Sequence, residues 1–231
     1  MTQGETKINA IVFRQSLLFA FSFAALMWAV KGYEWLSGVN LSRLGVYPRT
    51  LKGMIGIIAS PLVHGDSFHL LSNTFPIVML CVGLFYFYHN IAPRVFLLIY
   101  FLPSFSVWIV AREAWHIGAS GVVYGLVSFL FFIGLFRKDS ASMTVSLIVL
   151  FLYSGMLGGL FPGDLGISYE SHLMGAFVGL AAAFFYRKSG RPVEPDEGEE
   201  DEDDQFPADG FSGPSHTYGE DVSFKYELKK K

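Results

Sequence analysis

Six apolar blocks, at about 11–30, 67–88, 94–111, 119–136, 143–161 and 168–186, constrain what this chain can fold into. Crossing the hydrocarbon core of a bilayer takes roughly 20 mostly apolar residues in a helix. Inside the bilayer the backbone must satisfy its own hydrogen bonds, which a helix does within one segment. The chain is 52% hydrophobic with a mean hydropathy of +0.42, too apolar for a soluble domain of 231 residues. The expectation is an all-α polytopic membrane protein with six transmembrane helices. Charges punctuate the blocks: Lys31 closes the first, Arg94 opens the third, Arg112 closes it, and Arg137 with Lys138 closes the fourth. The first block lacks a small-residue cleavage site and is long, so it reads as an uncleaved span.

Lys and Arg are in excess on the side shared by the two termini, which places both termini in the cytoplasm. The connection 32–66 is too long for a turn and carries Tyr33, Trp35 and Tyr47. It is expected to form a structured element at the interface. The net charge of -3 misleads, because residues 194–204 alone hold 9 of the 20 acidic residues. Residues 1–190 therefore read as the membrane core, and 191–231 as an acidic, disordered cytoplasmic tail. Cys81, the single cysteine, excludes an internal disulfide and a cysteine metal site, and reads as a small buried hydrophobe. No cofactor, metal or nucleic-acid partner is expected. The partners are membrane lipid and whatever the polar residues act on.

Those polar residues carry the functional information, because polar groups at membrane depth are costly. His69 and Asn73 share a helix face at spacing i, i+4 in the second block. Ser120 opens the fourth block, and His172 lies near the start of the sixth. Blocks two, four and six all run from outside to inside, so these four residues fall in one outer layer. His172 and Asn73 lie roughly 6–9 Å along their helices. A serine hydroxyl becomes a nucleophile when a base takes its proton, and histidine is the usual base. Histidine, asparagine and the free N–H groups at a helix start can stabilise an oxyanion. Glu170 and Asp164 are not placed to orient His172, so a Ser–His dyad without a carboxylate is expected. Gly121 with Gly125, and Gly175 with Gly179, form small-residue steps that would let blocks four and six pack closely. Tyr124, one turn after Ser120, would pack under the imidazole. Residues 158–168, with four glycines, read as a mobile cap over the dyad. His116 and His89, at span ends, read as interfacial. Alone, Ser120 is an ordinary packing serine and Asn73 ordinary interhelical glue; the shared layer is what argues otherwise.

The pattern resembles the rhomboid family of intramembrane serine proteases. The likeness rests on Gly118-Ala119-Ser120-Gly121, on His69 to Asn73, and on His172 with Gly175 and Gly179, in that family's helices and order. It covers roughly residues 10–187. The resemblance implies a rhomboid-like bundle around a water-filled cavity open to the outer face. It implies Ser120 as nucleophile and His172 as general base, with His69, Asn73 and the Ser120 backbone N–H as the oxyanion hole. Gly118 would form the tight loop before the nucleophile, Tyr124 would stack on His172, and His64 would have a structural role. The Trp-Arg pair of some members is absent, the nearest basic residues being Arg49 and Lys52. The implied substrates are single-span membrane proteins, cut near the outer boundary of the membrane. A bare six-span core points to a bacterial inner membrane. The alternatives are a catalytically inactive relative that binds membrane proteins and a small transporter with a polar cavity. The presence of both Ser120 and His172 disfavours the first. The confinement of the polar groups to one layer, and the lack of an internal repeat, disfavour the second.

Overall fold

The computed structural model describes residues 3–163 and 168–189, with side chains from Asn9 onward. The acidic tail, Asp164 and Gly166 lie outside the described residues. The chain runs α1 (Gln3–Ser37), α2 (Gly56–Ala59), α3 (Ser67–Phe87), α4 (Ala92–Val110), α5 (Ser120–Arg137), α6 (Ser140–Tyr153) and α7 (Tyr169–Tyr186). Short 3-10 segments cover Leu41–Leu44, Lys52–Ile55, Ser60–Leu62 and Ser154–Leu160. Five helical stretches are long and apolar enough to cross a membrane: Asn9–Ser37, α3, α4, α5 and Ser140–Leu160. The remaining long helix, α7, has 18 residues, and Glu170, Ser171 and His172 make its first turn polar.

Local signals set the helix ends. The Asp66 carboxylate accepts the His69 N–H to cap α3, and Asp139 accepts the Ser142 N–H to cap α6. Such caps are worth about 1 kcal/mol each. The first helix departs from the expected boundary. It continues through Lys31 to Ser37 because the ammonium, buried at 5% exposure, is fully engaged. Lys31 Nζ lies 2.6 Å from Glu34 and donates to the carbonyls of His64 and Gly65 at 3.0 Å each. A cation satisfied in this way need not leave the helix, and it ties α1 to the turn before α3.

The architecture is a bundle built around α5. In α5, 61% of the span is buried inside the protein, against 22–33% for the other four. It packs tightly against α7 and also meets α3, α4 and α6, while α1 lies on α3 and α4 on α7. The outer faces are apolar: Leu71, Phe75, Phe151 and Phe185 are all exposed. That inside-out pattern is what lipid as solvent requires. The connection after α1 packs onto α4 as an ordered element. The Trp108 indole N–H donates to the Thr50 carbonyl at 2.9 Å, the Tyr100 hydroxyl to the Ile58 carbonyl at 2.7 Å, and Arg49 to the Ala111 carbonyl at 2.8 Å.

Candidate functional site

The meeting of α5 and α7 decides where the polar residues go. A Cβ built on Gly175 would overlap the Gly121 carbonyl oxygen, and one on Gly179 would overlap the Gly125 carbonyl oxygen. A Cβ on Gly121 would stand 3.2 Å from the Ser171 carbonyl. The two backbones touch along this seam, and only glycine permits that. The Ser128 hydroxyl extends it by donating to the Ala176 carbonyl at 2.7 Å. Ser120 and His172 each sit one residue from the first crossing point, Gly121 against Ser171.

Ser120 is the first residue of α5, half-buried, with the free N–H groups of a helix start. The turn before it depends on Gly118, whose φ of +106° is a conformation that side chains rarely adopt. A Cβ there would also stand 2.7 Å from the His69 ring. His69 thus lies directly against the loop that presents Ser120. Asn73, buried one turn further along α3, donates one amide hydrogen to the His69 carbonyl at 2.8 Å and keeps the second.

His172 is buried and held on two sides. Its ring stacks on Tyr124 with centroids 4.2 Å apart and planes 12° from parallel. Tyr124 is one turn from Ser120, so the imidazole lies on the face of α5 that carries the serine. Nδ1 lies 2.9 Å from the Gly159 carbonyl oxygen. A carbonyl can only accept, so Nδ1 carries the proton and the neutral ring has its lone pair at Nε2. Among the described residues, neither that Nε2 nor the Ser120 hydroxyl has a hydrogen-bond partner. The two atoms that a nucleophile and its base would use are uncommitted.

The segment expected as part of a mobile cap is ordered at its start. Residues 154–160 form a 3-10 helix held to the site twice, by Tyr124 Oη donating to the Met156 carbonyl at 2.6 Å and by His172 to Gly159. Gly159 is a steric requirement here, since a Cβ on it would overlap the Tyr124 hydroxyl. Sequence reasoning missed Gly159 and Met156 as partners because both act through backbone carbonyls. His116, read from sequence as interfacial, is buried at 3% exposure. Glu170 is engaged elsewhere, with Oε1 3.3 Å from Arg112 Nε. Among the described residues, no group of three or more His, Cys, Asp or Glu is arranged to hold a metal ion.

His64 is a buried support. Its Nδ1 lies 3.4 Å from the Leu62 carbonyl, its Nε2 accepts the Ala119 N–H at 3.3 Å, and its ring packs edge-on against His69 at 5.0 Å. Burial first, and then His69, push its pKa down to about 4 from 6.5. The neutral ring is the one that fits, since a proton on Nε2 would point at the Ala119 N–H. Between the two pKa values the unfolded chain binds more protons, so stability rises with pH there. The contribution of His64 is complete above pH 6.5 and lost as pH drops toward about 4. Thermal unfolding in detergent is expected to show this loss in the wild type and a shallower one in His64→Gln. Equal slopes would remove His64 as its source.

The fold and this centre together define a polytopic helical membrane protein whose Ser, His and Asn side chains gather at one end of its most buried helix. The family model of the Rhomboid domain matches residues 52–189. Uncharacterized proteins of Mycobacterium tuberculosis and Mycobacterium bovis are each 34% identical over 177 residues, spanning 71% of this chain and 72% of theirs. An uncharacterized protein of Mycobacterium leprae is 29% identical over the same length, spanning 68% of its own chain. The chain belongs to the rhomboid family, whose members are in general intramembrane serine proteases.

Proposed function

We propose that the chain is a serine endopeptidase that cleaves single-span membrane proteins near the outer boundary of a bacterial inner membrane, with both termini in the cytoplasm. His172 Nε2 takes the proton of the Ser120 hydroxyl as Oγ attacks the scissile carbonyl carbon. The resulting oxyanion is met by the Ser120 N–H, the free amide hydrogen of Asn73 and the His69 ring. His172 then returns the proton to the leaving amine as the peptide bond breaks, and water hydrolyses the acyl-enzyme by the same relay. The carboxylate of the common triad is replaced by the Gly159 carbonyl, which fixes the tautomer of His172 without a charge.

The observation that carries this reading is the double restraint on His172. The Gly159 hydrogen bond leaves Nε2 basic, and the Tyr124 stack holds the ring on the serine's face of α5. Mycobacterial relatives and the excess of Lys and Arg on the terminal side support the location. The direct test is reaction of the wild-type protein in native membranes with a fluorophosphonate probe. Labelling that peptide mapping places on Ser120 is expected. A protein that neither labels nor cleaves a single-span substrate would overturn the proposal.

A further inference from the structure

Between Ser120 and His172 the chain passes through two helices, so nothing local fixes their spacing. The glycine seam sets how closely α5 and α7 approach, and it reaches the first turn of α7 only where Gly121 faces the Ser171 carbonyl. A set of polar contacts bears on that turn. His116 Nε2 lies 3.0 Å from the Arg112 carbonyl and Nδ1 lies 2.6 Å from the Ser168 hydroxyl. The carbonyl can only accept, so Nε2 carries the proton and Nδ1 accepts the Ser168 O–H. Ser168 is the N-cap of α7: its Oγ accepts the Ser171 N–H at 3.3 Å and lies 2.8 Å from the Ser171 hydroxyl. The backbone of His116 is itself pinned, paired in both directions with Val46 at 2.8 and 2.9 Å. Alongside runs a second strut, in which Arg112 lies 3.3 Å from Glu170 and 5.5 Å over the Tyr169 ring.

We infer that His116, with Arg112 beside it, clamps the first turn of α7 to the loop that presents Ser120. His116 is a positioning residue: a rigid ring that donates to a carbonyl in its own loop and accepts from the cap of the other helix. His172 follows that cap by one turn. The clamp thereby sets the height of the imidazole relative to the serine, whereas the glycine seam sets only their separation. Its catalytic consequence rests on the protease reading; the clamp itself does not.

The test uses the full chain in liposomes and three variants. His116→Leu fills the space without hydrogen bonds, Ser168→Ala removes the partner, and His116→Asn places an amide oxygen near the position of Nδ1. In the first arm, His116→Leu and Ser168→Ala are expected to lower kcat on the order of 10- to 100-fold with little change in KM. The double variant is expected to be no slower than the worse single one, and His116→Asn to recover most of the rate. In the second arm, spin labels on Glu113→Cys and Phe177→Cys, in a Cys81→Ala background, report the loop-to-α7 distance. The distribution is expected to be narrow in the parent, broad in His116→Leu and narrow again in His116→Asn. If the parent proves inactive, the protease reading fails and the distance arm still judges the clamp. Unchanged distance distributions in both His116→Leu and Ser168→Ala would overturn it. So would a rate loss that His116→Asn does not rescue.

Discussion

Ser120→Ala and His172→Ala are each expected to abolish cleavage of a single-span substrate in liposomes while leaving insertion and yield intact. Neither side chain builds the α5–α7 seam, which is made of glycine backbone: Ser120 Oγ has no hydrogen-bond partner among the described residues, and His172 ties only the 154–160 segment and Tyr124. The losses should be on the order of 10⁴-fold or more, the scale on which nucleophile and base knock-outs act in serine proteases. Among the described residues, the serine hydroxyls beside His172 are already engaged. The serine hydroxyls nearest in sequence to His172, on Ser168 and Ser171, bond to each other, and Ser168 bonds to His116. The more telling expectation concerns the double variant. If Oγ and Nε2 act in one proton transfer, removing both should cost no more than removing either. Independent, multiplying losses would mean that His172 works without Ser120. Activity within tenfold of wild type in Ser120→Ala would end the nucleophile assignment altogether.

The six helices are legible in the sequence because bilayer thickness dictates their length and composition records it. Boundaries fail where a polar side chain finds local partners. Lys31 reads as a terminator, yet Glu34 and two carbonyls keep it inside α1. At the far end of α6, glycines that read as flexibility are partly steric, with Gly159 leaving room for the Tyr124 hydroxyl. The candidate site is legible to the extent that it is made of side chains at fixed spacings: His69 with Asn73, Ser120 with Tyr124, Gly175 with Gly179. What stays hidden is what pairs across the fold. The partner of His172 is a backbone carbonyl, which no residue type encodes. His116 has the look of any histidine at a membrane boundary, and its partner Ser168 lies far away in sequence. Only the crossing of α5 and α7 brings them together.

That crossing leaves no room for a side chain. Gly175→Leu is expected to give a protein that inserts normally, because leucine is favourable in a membrane helix, yet cleaves at less than about a hundredth of the wild-type rate. A Cβ at this position already overlaps the Gly121 carbonyl oxygen and comes within 3.2 Å of the Gly125 nitrogen. These are helix backbone atoms, which cannot swing aside as a side-chain end can, so α7 must move away from α5. A shift of about 1 Å between reacting groups can cost on the order of 10²-fold in rate. The same motion would draw His172 off Tyr124 and away from Gly159, loosening the restraints on its tautomer as well as its distance. Gly175→Ala meets the same obstacle, and is expected to be impaired in the same direction. Gly83→Leu is the control. Its Cβ would meet only the end of the Leu130 side chain, at 3.4 Å, an ordinary contact that can yield. Cleavage rate and fluorophosphonate labelling should therefore fall together in the Gly175 variants and stay near wild type in Gly83→Leu. Wild-type labelling in Gly175→Leu would mean that the spacing of Ser120 and His172 does not depend on this seam, and the geometric case for the dyad would go with it.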